Sequence, residues 1–390
     1  MSTQVEATAV RRRDATEKGS NLQPSSATPD TSTVSDEYLA NAWVFLVSCL
    51  VGIVFGFSLE RGKVAEYFFV RNQMSMTNTF VMLKMFLSAA AVSVCSITLL
   101  SYFGSDRIKQ NVKVTGDFMG VYHRGFPALI LGCFLLGVGL TVSGSCPGTV
   151  FAQIGAGSRK ALYSIAGGIA GAVVYGLFDA NKGFQAFHSW GRIDPKYNFL
   201  YGPRFPRWLT TGIMVSVCFG VCFAAEYFVP WKADLQKLFP KVNLGWQACF
   251  HPFLAGGIIG SLQLALVGGI QQHLGCSGSY CTIVANVMPF YKASPHFNVL
   301  RTRYWQVIMV FGMMIGASIS TRMSGVYFAS DALLAWWEAA LGGFLFVFGA
   351  RMAAGLWRCG DRFVGCTSGH GISGCGHLAL TSVLGVGTRM

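Results

Sequence analysis

Three stretches of the chain place a cysteine at a break in an apolar run. The first, GSCPGT at residues 144–149, contributes Gly144, Cys146, Pro147, Gly148 and Thr149. The second, GCTSGHG at residues 365–371, contributes Cys366, Thr367, Ser368, Gly369 and His370. Cys276 stands in a third, LGCSGSYC at residues 274–281. Small residues let backbone approach a ligand closely, and proline suits the first position of a helix. A helix starting at Pro147 would aim the amides of Gly148 and Thr149 toward Cys146. The amides of Thr367, Ser368 and Gly369 would likewise surround Cys366. Helix starts bind anions through unpaired N–H groups and the macrodipole, and a neutral thiol is a weak hydrogen-bond donor. Each of these two breaks therefore offers a thiol beside an anion-binding helix end.

The same residue types admit other chemistry. Of 12 cysteines, Cys49, Cys95, Cys133, Cys218 and Cys222 lie within apolar runs and read as small buried side chains. Cys359, Cys366, His370, Cys375 and His377 are ligands zinc would accept, but their spacing matches no usual zinc framework and the first break has no histidine. No metal and no cofactor is expected, and no pairing pattern supports disulfides. Arg351 either draws an anion toward the path or snorkels to the interface. His370 either titrates beside a solute or caps a helix. With His370 as its base, Cys366 could instead be the nucleophile of a membrane thiol sulfurtransferase or redox enzyme.

The elements that must position these residues are membrane spans. The sequence is 52% apolar and only 12% charged, about half the charged fraction of a soluble domain. Apolar runs occupy residues 42–59, 79–103, 128–142, 161–178, 209–229, 253–270, 304–320 and 333–350, with a shorter ninth at 372–386. Crossing the hydrocarbon takes roughly 20 apolar residues in a helix that satisfies its own backbone. The expected fold is an all-α integral membrane protein of about nine transmembrane helices, multi-pass in the plasma (cell) membrane. A soluble all-α enzyme is excluded, because it would need far more polar surface to cover such helices. The net charge of +13 comes from Lys and Arg scattered between the runs. Such cations meet the lipid phosphates of the bilayer rather than nucleic acid. Residues 1–38 are polar and rich in Ser, Thr and Pro, which reads as a disordered tail ahead of a transmembrane domain at 39–390.

Within that domain one design is used twice. FLLGVGLTVSGSCPGT at 134–149 is echoed by FLFVFGARMAAG at 344–355, and LVGIVFGFSLERGKV at 50–64 by IIGSLQLALVGGI at 258–270. Repeat one covers about 42–178 and repeat two about 253–386, with a linking span at about 209–229. Equivalent spans then lie an odd number apart, so the repeats are inverted. Residues 273–290 are too short and polar to span and read as a re-entrant or half helix. Inverted repeats with broken helices are a transporter architecture, whose solute site lies where the repeats meet.

At these motifs the sequence resembles the YeeE/YedE family of sulfur-compound transporters. The matching segments are GSCPGTVFAQIGAG at 144–157, FGARMAAG at 348–355 and GCTSGHGISG at 365–374, with FGFSLERG at 55–62 and FVMLKMFLSA at 80–89 in support. The resemblance covers the chain from about residue 42 onward. It implies a transporter, not an enzyme, that takes up thiosulfate or a similar sulfur-containing anion along a narrow cysteine-lined path by successive S–H hydrogen bonds. Cys146 and Cys366 match the family's motif cysteines. The family often carries a cysteine just after the first Arg-Gly, where this chain has Val64 and Ala65; Cys276 stands in the corresponding link of the second repeat. Residues 356–365 form an insertion absent from the compact motif.

Overall fold

The computed structural model describes residues 31–75, 77, 79–119, 125–179, 181–191, 206–240, 245, 247–288 and 303–354. The chain divides into two compact units, Met1–Ala42 and Trp43–Met390. In the first unit the described residues are helical, since α1 (Thr31–Arg61) begins inside the stretch expected to be tail. The second unit is a helical bundle, with no strand among the described residues. After α1 come the short α2 (Tyr67–Met74), α3 (Val81–Phe103), α4 (Asp106–Met119), α5 (Phe126–Ser143) and the short α6 (Thr149–Gly155). Then follow α7 (Lys160–Asp179), α8 (Lys182–Ser189), α9 (Arg207–Phe228), α10 (Trp231–Gln236), α11 (Pro252–Ile270), the short α12 (Gly278–Val287), α13 (Tyr304–Ser324) and α14 (Trp336–Ala354).

Among the described residues six helices are long and apolar enough to cross a bilayer: Asn41–Arg61, Val81–Phe103, Lys160–Asp179, Arg207–Phe228, Pro252–Ile270 and Tyr304–Ser324. Nine were expected. The apolar part of α5 is shorter, Pro127–Ser143, and α14 carries Trp336, Trp337, Glu338 and Arg351, which dilute its apolar character. The ninth segment, 372–386, lies outside the described residues. Large apolar side chains point outward along the bundle, among them Val217, Phe223 and Phe311. That is the surface a hydrocarbon solvent asks for.

Helix ends are written in local chemistry. Pro252 opens α11, and the His251 ring accepts the Phe253 N–H at 3.2 Å. At the other end of α5, Gly144 takes φ +60°, and a side-chain carbon there would fall 2.9 Å from the Tyr67 Cβ. Only glycine meets both demands.

Close backbone crossings hold the bundle. On α1, carbons added at Gly52 and Gly56 would lie 2.1 Å from the Met309 carbonyl oxygen and 2.0 Å from that of Met313, both on α13. On α11, carbons at Gly256 and Gly260 would lie 2.2 Å from the Met85 oxygen and 2.5 Å from the Ala89 oxygen, both on α3. Without a hydrophobic drive in lipid, helices associate through such small-residue contact. A buried ion pair adds to it. Lys84 on α3 is fully buried and its Nζ bonds the Glu226 carboxylate of α9 at 2.7 Å, while Thr98 and Thr211 join the same helices at 2.9 Å. Lys84 therefore reaches a partner helix rather than the interface.

Candidate functional site

The break between α5 and α6 is a turn organised by Cys146. Its backbone N–H donates to the Thr149 Oγ1 at 2.7 Å, and the Thr149 N–H donates to the Cys146 Sγ at 3.2 Å. This reciprocal pair has the form of a capping box, with a thiol in the place of the usual hydroxyl. The Cys146 carbonyl accepts the Val150 N–H at 3.2 Å, so the first turn closes there although regular helix begins at Thr149. Pro147 thus sits one residue inside the start. The Thr149 amide is directed to the cysteine sulfur and not outward to an anion.

Gln153, fully buried in α6, fixes the turn to the rest of the protein. Its Nε2 donates to the Ala65 carbonyl at 2.8 Å, and its Oε1 accepts from the Ser145 hydroxyl at 2.8 Å. A cavity of about 50 Å³ opens beside the turn, several times the space one water needs. Apolar side chains of α1, α3 and α11 make its walls, including Phe55, Leu59, Met85, Ala89 and Ile259. Cys146, Gly148 and Thr149 complete its lining, which is almost wholly apolar. Cys146 is half-buried, in reach of that space.

The half helix at α12 meets this turn from the other side. A carbon added at Gly148 would lie 3.1 Å from the Cys276 Sγ and 3.8 Å from the Met313 methyl. Cys276 is fully buried, and its thiol donates to the Met313 Sδ at 3.9 Å. The Tyr280 hydroxyl donates to the Pro147 carbonyl at 3.3 Å, joining the two breaks directly. Arg351 on α14 is 1% exposed, and its Nη2 donates to the Ser277 hydroxyl at 2.6 Å. The guanidinium is thus held inside the bundle next to the Cys276 turn, where a positive charge is expensive unless it serves a function.

Cys146, Gly148, Cys276 and Arg351, distant in sequence, are thereby gathered around one crossing. Cys366, Thr367, Ser368, Gly369 and His370 lie outside the described residues, as does the Cys359 to His377 group. Among the described residues no cluster of three or more His, Cys, Asp or Glu could hold a metal ion. Gln153, Ser277, Tyr280 and Met313 were not among the residues expected at the site from the sequence. A lone amide in the apolar TVFAQIG was a visible signal for Gln153. Nothing in the local sequence marks Met313, one of 14 methionines.

A multi-spanning helical bundle with broken helices and a thiol at an internal cavity defines a membrane transport protein. The chain belongs to the sulphur transport family, whose model matches residues 61–390. It is 22% identical over 358 residues to the thiosulfate transporter TsuA of Spirochaeta thermophila, a match covering 86% of this chain and 92% of that one. The protein is accordingly a multi-pass integral membrane protein of the plasma membrane that transports sulfur compounds.

Proposed function

We propose that the protein takes up thiosulfate, or a related small sulfur oxyanion, along a narrow path on which Cys146 and Cys276 are successive stations. The carrying observation is the Cys146 thiol on the lining of an apolar cavity, at the point where a helix is broken. Thiosulfate has a soft terminal sulfur and hard oxygens. The thioethers of Met82 and Met85 and the apolar wall suit the polarizable end. A neutral S–H donates to the anion weakly enough to release it, and several weak sites in series allow conduction. A thiolate would repel the ion, so the thiols act protonated. Arg351 offsets the dianion's charge from within the bundle. By resemblance, Cys366 is a further station.

The path lies between two inverted halves. Supporting this, Gly52 and Gly56 meet α13 as Gly256 and Gly260 meet α3. Further support comes from the ends of α1 and α11. Each is followed by a non-glycine residue at φ 55°, Lys63 and Gln271, and then by a short helix, α2 or α12.

The test is uptake of labelled thiosulfate into proteoliposomes. Losing one hydrogen bond to a charged solute, about 1.5–3 kcal/mol, should slow uptake in Cys146→Ala by about tenfold or more. Unchanged uptake in Cys146→Ala, with the unsubstituted protein active, would remove Cys146 from the path.

A further inference from the structure

The two glycine crossings share one backbone pattern, so their residues can be matched. Gly52 and Gly56 lie over the carbonyls of Met309 and Met313 as Gly256 and Gly260 lie over those of Met85 and Ala89. Met313 therefore takes the place in α13 that Ala89 takes in α3. Beside Ala89 there is a cavity, which also reaches Val64 in the link after α1. Beside Met313 the matching link, after α11, carries Cys276, and here the Met313 thioether lies 3.9 Å from the cysteine sulfur. Its methyl also approaches Gly148, the residue that separates Cys146 from Cys276.

We infer that Met313 fills a latent solute site at Cys276, the counterpart of the cavity left open by Ala89 near Cys146, and that its side chain swings aside to admit a small sulfur-containing anion. Three rotatable bonds and no branching make methionine the apolar side chain best able to move without disturbing its helix. The α13 backbone at Met313 is pinned by Gly56, so movement is left to the side chain. Gly148 contributes by having no side chain, because even a methyl there would press on Cys276 and narrow the passage. The site rests on the transport reading for its ligand but not for its geometry.

Methyl methanethiosulfonate, a small neutral thiol reagent, probes that geometry without transport. Full-length protein in membrane vesicles is treated briefly, and modification at Cys146 and Cys276 is followed by peptide mass spectrometry. In the unsubstituted protein Cys146 should react about tenfold faster than Cys276, since reactivity follows access. Met313→Ala should raise Cys276 modification by about tenfold and leave Cys146 unchanged. The reciprocal Ala89→Met should protect Cys146 by a similar factor, and it decides the matter if Met313→Ala does not fold. A Cys276 that stays protected in folded Met313→Ala overturns the inference. So does a Cys146 rate unaffected by Ala89→Met when only that variant folds. Should Met313→Ala expose Cys276 while no variant takes up labelled thiosulfate, the plug stands and the solute reading falls. Robust uptake with Cys276 unexposed in Met313→Ala gives the reverse.

Discussion

At the crossing of α11 and α3, Gly256 and Gly260 meet the backbone of Met85 and Ala89, and a cavity alongside reaches Cys146. At the crossing of α1 and α13, Gly52 and Gly56 meet the backbone of Met309 and Met313, and the Met313 Sδ lies 3.9 Å from the Cys276 Sγ. Backbones that match do not make two equal compartments. The volume of one side chain, alanine against methionine, separates an open pocket from a filled one. On the inference drawn above, Met313 is the barrier between the two compartments, and only its rotamer need change to open the second.

The largest effects should come from the glycines themselves. Gly56→Leu would drive atoms into the Met313 carbonyl and should destabilise the protein by about 4 kcal/mol or more, abolishing folded yield on size-exclusion of the detergent-solubilised chain. Gly260→Leu should do the same at Ala89. If one is tolerated and the other is not, the crossings are not equivalent. Lys84→Met should cost about 1–3 kcal/mol in thermal unfolding, because Glu226, itself partly exposed, loses its buried partner. A double-mutant cycle with Glu226→Gln isolates the pair, which braces the open side through α9. Ser277→Ala takes away one acceptor of the buried Arg351 guanidinium and should cost about 1.5–3 kcal/mol. It should also loosen Cys276, seen as faster thiol modification. Gly148→Ala keeps an allowed backbone conformation, so unfolding should shift by less than about 1 kcal/mol. Uptake should nevertheless slow several-fold, which places the effect on the passage rather than the fold.

The smallest effect concerns the links. The link after α1 carries Glu66, whose carboxylate accepts the Ala329 and Ser330 N–H groups at 3.0 Å each, while the link after α11 has no acid. Burial pushes the Glu66 carboxyl above the ordinary carboxylate range, against the lowering pull of the Ser330 hydroxyl. The folded state then holds the proton more tightly than the unfolded state. Its contribution is full below the ordinary carboxylate pKa and is lost as pH rises through the raised value. Melting temperature from about pH 4 to about pH 8 should fall less steeply in Glu66→Gln than in the unsubstituted chain. An identical slope would mean that the two links do not differ in this way.

Much of this was legible in the residues. Long apolar runs dictate membrane helices because unpaired backbone is intolerable in hydrocarbon. Pro147 between Cys146 and Gly148 announces a helix restart, and the short polar stretch around Cys276 a half helix, since proline, glycine and serine act through local backbone geometry. The breaks were therefore readable from neighbours in sequence. Two details were not. The Thr149 amide turns to the Cys146 sulfur instead of waiting for an anion, a choice made by the geometry of one turn. Arg351 bonds Ser277 on another helix, where its sequence position allowed either the path or the interface.

Of the three cysteine-bearing breaks, those at Cys146 and Cys276 have a defined place in the bundle. Sequence by itself determined that the chain is a membrane bundle with thiols at interrupted helices, because hydropathy and turn chemistry act over a few neighbouring residues. The fold alone decided that Cys146 faces a cavity while Cys276 lies behind Met313. That choice depends on which helices face each other, and α1 and α13 come from opposite halves of the chain.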